Sequence, residues 1–112
     1  MVRTSSVTYL YQKGGSEMTM PSSAASTIWD FTHHGGFQQQ VPFGQVNPRS
    51  AVFVSISEIG NINGQLTPFQ GAASLSVDDV VPGPGNVIVR GSIGWDSDIQ
   101  VRLSLLTVPV PL

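Results

Sequence analysis

Trp95-Asp96-Ser97-Asp98 is where residue types able to hold a ligand come closest together in this 112-residue chain. An indole followed by two carboxylates offers two kinds of chemistry. The ring face can stack on the apolar C–H face of a sugar, while the carboxylates accept hydrogen bonds from hydroxyls. The pair Asp96-x-Asp98, joined by Asp78 or Asp79, can also supply oxygens to calcium, which takes roughly six to eight of them. The spacing of known calcium loops is missing, and carboxylates beside turns commonly cap backbone amides. Trp95 also runs in phase with Val89 and Ile93, so a core position competes with a sugar platform.

The remaining acids are Glu17, Asp30 and Glu58, and no nucleophile elbow, phosphate loop or metalloprotease helix motif accompanies them. Hydrolysis by two carboxylates needs a proton donor and a base facing one cleft, and no pair here declares itself. The chain therefore reads as a non-enzyme. His33-His34 are adjacent, so in a strand they point to opposite faces and do not share a metal. Without cysteine, thiolate metal sites, disulfides and cysteine nucleophiles are excluded.

Charged residues make up only 11% of the chain, against roughly 25% in ordinary soluble domains. Five Lys/Arg are scattered against seven Asp/Glu, a net charge of −2. Counterion release from nucleic acid needs several cations on one face, so nucleic acid is not an expected partner. A surface of amides and hydroxyls suits neutral polar ligands or protein contacts. No segment approaches the ~20 apolar residues of a membrane span, and "MVRTSSVTYLYQKGG" lacks the form of a signal peptide. Localisation stays open between cytoplasmic and secreted.

The elements that must position these groups are short strands. Twelve glycines and eight prolines divide the chain, with Val, Ile, Thr, Phe and Ser between them. Strands are expected over Ser6–Gln12, around Met18–Met20 or Thr27–Phe31, and over Gly36–Phe43, the last at an edge because of Pro42. The small residues of Pro21–Ser26 read as a loop, or Ser22–Ala25 as one helical turn. Ala51–Ile56, "AVFVSI", reads as a strand buried on both faces. Asn63-Gly64 marks a turn, a further strand follows near Ala73–Val77, and "PGPGN" (Pro82–Asn86) is the strongest turn. Ile88–Leu106 then alternates as a hairpin whose tip is Trp95–Asp98. The expected fold is a single all-β domain over residues 1–112, an antiparallel β-sandwich of six to seven strands.

Two stretches, "VPFGQVNPRSAVFVSISEIG" (41–60) and "NVIVRGSIGWDSDIQVRLSLLTV" (86–108), resemble the H-type lectin domain of snail agglutinin and discoidin. The likeness lies in Phe43, Pro48, Val52-Phe53-Val54-Ser55-Ile56, the Gly94-Trp95 pair with its polar turn, and the strand Val101–Val108. The chain departs from the family at Ser104-Leu105, where a tryptophan often follows the serine, at Asp96, and in the long loop "DDVVPGPGN". The resemblance implies an H-type lectin-like sandwich, a homotrimer or multiple of three, and galactose or N-acetylgalactosamine bound near the hairpin tip. Trp95, Asp96, Asp98 and Gln100 would form that site, with Glu17 or Asp30 as the N-terminal acidic ligand. The rival is a non-catalytic structural or assembly protein, a virion, tail-fibre or surface component built on the same sandwich.

Overall fold

The structure is a computed structural model that describes the backbone of residues 2–12 and 19–108 and the side chains of residues 24–108. It holds eight strands and, among the described residues, no helix: β1 (Val2–Gln12), β2 (Thr19–His33), β3 (Gly35–Pro42), β4 (Ala51–Ile62), β5 (Gln65–Phe69), β6 (Ser74–Gly83), β7 (Asn86–Gly94) and β8 (Ile99–Val108). All pairings are antiparallel. A five-stranded sheet in the order β1-β2-β8-β4-β5 faces a three-stranded sheet in the order β3-β7-β6.

Alternation decides which side chains meet between the sheets, because successive residues of a strand point to opposite faces. Val101, Leu103, Leu105 and Thr107 of β8 are buried, as are Val87, Val89, Gly91 and Ile93 of β7. Phe37 and Val41 join them from β3, and Phe43 and Val46 close the core from the loop that follows. Gly91 is required by packing. A Cβ there would run into the Ser76 carbonyl and lie 2.6 Å from the Phe37 ring.

The turns follow from local chemistry. Asn63 and Gly64 both take positive φ and join β4 to β5 through the closing pair Ile62 and Gln65. β3 lies at an edge, as Pro42 requires. The opposite edge strand, β6, carries a bulge between Val77 and Asp79.

Four expectations change. The segment Pro21–Ser26 is neither loop nor helical turn but the middle of the 15-residue β2, where Ala24 and Ala25 are both buried. Residues that small do not show the alternation that marks a strand. β5 adds a strand beyond the expected six or seven; its five residues include Pro68 and sit at a sheet edge. Phe43 ends up in a loop rather than in a strand, its N–H donating to the Gly85 carbonyl at 2.9 Å. "AVFVSI" is covered on one face only: Phe53 is 60% exposed.

Candidate functional site

The hairpin tip is an open turn. β7 ends at Gly94, so Trp95 leaves the phase that buries Val89 and Ile93, and its side chain is 43% exposed. Its N–H folds back to the Ile93 carbonyl at 2.9 Å. Asp96 and Ser97 face solvent. Asp98 is occupied, because His34 Nδ1 lies 2.5 Å from its Oδ1 and ties the β2–β3 corner to the tip. Gln100 is exposed and opposite Thr32. Glu17 lies outside the described residues. Asp30 is bound to Arg102 in the five-stranded sheet.

Two grooves lie elsewhere. One, on the outer face of the three-stranded sheet, is lined by Phe37, Gln38, Asp78, Asp79 and Arg90. Arg90 and Asp79 pair with each other across β7 and β6, so the charge left in that groove is the Asp78 carboxylate. Among the described residues, no three His, Asp or Glu side chains come together, so Asp96/Asp98 and Asp78/Asp79 do not assemble the calcium set.

The other groove lies on the outer face of the five-stranded sheet. Its register is legible row by row. Ser26, Leu106 and Phe53 stand side by side on β2, β8 and β4; the next row is Ile28, Ser104 and Ser55. Leu106 is 41% exposed. Apolar side chains thus alternate with hydroxyls, without a charge, until the third row of Asp30, Arg102 and Ser57. There Arg102 Nε and Nη2 meet the two Asp30 oxygens at 2.7 and 3.0 Å, with side-chain exposures of only 13% and 5%. The hydrogen bonds from Arg102 to Asp30 hold its guanidinium above the ordinary arginine pKa, against the opposing effect of burial. The pair is charge-compensated, so the β2, β8 and β4 part of this face is neutral, while Arg3 of β1 takes the register position beside Ile28.

On the inner side, Trp29 rather than Trp95 makes the distinctive contact. Its Nε1–H donates to Gln39 Oε1 at 2.8 Å and bridges the two sheets. The sequence places Phe53 in a strand buried on both faces and Asp30 among acidic ligands, and it does not disclose the Trp29–Gln39 bond, the Asp30–Arg102 pair or the row that joins Phe53 to Leu106. The one signal available was "AVFVSI", whose apolar residues fall on both faces although Phe53 stands exposed.

No family model matches the chain, and no curated protein matches it. Among solved structures, the chain is similar to a C-terminal fragment of the R1 pyocin fiber of P. aeruginosa, at 9% identity and a TM-score of 0.48. The alignment covers 96% of this chain and 28% of that one. A likeness at that level carries no functional argument by itself. The class established here is an all-β, antiparallel, two-sheet fold.

The lectin reading is corrected. No family model or curated protein supports it, the tip is an open turn with one of its carboxylates held by His34, no three His, Asp or Glu side chains gather among the described residues, and the two grooves described lie on other faces. Trp95, Asp96, Asp98 and Gln100 stand on an exposed turn and strand start.

Proposed function

We propose that this chain is a non-catalytic structural module that works by packing against copies of itself. The carrying observation is its surface. A compact monomer of 11.9 kDa exposes about 5,900 Å² by the usual scaling, and this chain exposes 7079 Å². Its radius of gyration is 16.4 Å, where a compact 112-residue domain has about 13 Å.

The character of that surface supports the same reading. Phe53, Leu106, Phe69, Leu66 and Val81 are exposed large hydrophobics in a chain with few charges. Apolar area on a surface that holds little charge is stabilised by covering it.

Coupling of folding to assembly gives a direct test. Ligation by a second copy raises stability with concentration, so thermal midpoints measured at 1 µM and 100 µM should differ by several degrees. Identical midpoints would contradict an assembly module.

A further inference from the structure

The chain has four asparagines, and the residue that follows each one separates them. Asn47 precedes Pro48, which has no N–H. Asn61 and Asn86 precede the β-branched Ile62 and Val87, both held in strand ladders. Asn63 is the one that precedes a glycine. Side-chain bonding points the same way. Asn47 Oδ1 accepts the Arg49 N–H at 2.8 Å, and Asn86 Nδ2 donates to the Pro84 carbonyl at 3.4 Å. The Asn63 amide has no hydrogen-bond partner among the described residues.

Asn63 and Gly64 are both exposed, with φ of 53° and 82°, as in a two-residue type I′ turn. In such a turn the ladder closes on the pair Ile62 and Gln65, so the Gly64 N–H is not committed to it. A Cβ built on Gly64 meets nothing within 4 Å. The nitrogen that follows Asn63 is therefore both uncommitted and unhindered. This end of the hairpin also opens readily, because β5 has only five residues, contains Pro68 and lies at a sheet edge.

We propose that Asn63-Gly64 is a self-modification site, at which the chain loses ammonia and gains a carboxylate. Solvent base takes the Gly64 amide proton and the nitrogen attacks Asn63 Cγ. The Cγ–Nδ2 bond breaks as Nδ2 takes up a proton and leaves as ammonia, which closes a five-membered succinimide. Water then adds to either ring carbonyl and reopens the ring, leaving an aspartyl or an isoaspartyl residue at position 63. Water is the only co-reactant, and nothing is oxidised or reduced. Either product sets a negative charge beside the exposed Ile62 and Leu66. The isoaspartyl form also adds a methylene to the backbone, which a two-residue turn does not accommodate.

The test holds the native full chain in mildly alkaline buffer made with heavy-oxygen water, then cuts it with trypsin for mass spectrometry. Cleavage after Arg49 and Arg90 releases residues 50–90 as one peptide, in which Asn61 and Asn86 serve as internal references. The expected result is aspartyl and isoaspartyl product at position 63, each with one heavy oxygen. Asn61 and Asn86 should change about tenfold more slowly, because the β-branched residues after them crowd the attacking nitrogen. Asn63→Gly keeps a residue suited to positive φ and should leave the fold intact and the peptide unmodified. Aspartyl product without isoaspartyl means direct hydrolysis and overturns the ring step. Equal rates at the three asparagines overturn the assignment of the site. No product from the native chain, whether or not the urea-unfolded chain is modified, overturns the inference as a whole.

Discussion

Arg102 on β8 grips Asp30 on β2 with two parallel hydrogen bonds, on the side of the sheet that points away from the core. Both side chains are largely shielded, so neither has water to fall back on if its partner is lost. Asp30→Ala or Arg102→Ala should each cost about 3 kcal/mol in urea unfolding, and the double variant clearly less than their sum. Simple additivity would mean that the two residues act independently. Because the folded-state pKa of Arg102 is raised, its contribution is fully present below the ordinary arginine value and is lost only as pH rises through the raised one. Stability should therefore show no loss from this residue between neutral and mildly alkaline pH.

Trp29 joins the sheets through Gln39, and Trp29→Phe keeps the ring while removing the donor. The expected loss is about 1 kcal/mol by chemical denaturation, since the Gln39 oxygen is left half-buried without its partner. An unchanged midpoint would show the bond to be incidental.

Gly91 has room for nothing larger. Gly91→Ala drives a methyl against the Ser76 carbonyl and the Phe37 ring, and should cost about 3 kcal/mol or prevent soluble expression. Gly44→Ala, where no atom lies within 4 Å of the added Cβ, is the control and should behave as the native protein.

His34 and Asp98 meet at the exposed corner. Removing either should change stability by less than about 1 kcal/mol, and Asp96→Ala should change it less still. A large loss from Asp96→Ala in the thermal melt would mean that the tip is part of the folding framework rather than an open turn.

Much of the framework was readable from residues. The β7–β8 hairpin shows in the strict alternation from Val87 to Thr107, and the Asn63-Gly64 turn and the edge position of β3 follow from glycine and proline chemistry. β2 was hidden because Ser22 to Ser26 has no side chain large enough to reveal a phase, and because strand pairing with β1 and β8 is non-local. The tip misled for a related reason. Trp95 continues the alternation in sequence, but the strand stops one residue earlier, and only the fold shows His34 meeting Asp98 across a separation of 64 residues. The outer face was not legible: "AVFVSI" reads as buried on both faces although Phe53 is exposed, and the row that joins Phe53 to Leu106 and Ser26 exists only once three strands are in register.

The most direct test of the account is the mass of the native protein in solution, measured by sedimentation equilibrium at tens of micromolar. Self-association predicts a whole multiple of 11.9 kDa that falls toward one protomer when Phe53→Ser and Leu106→Ser are combined. A native mass of 11.9 kDa throughout that range would contradict it.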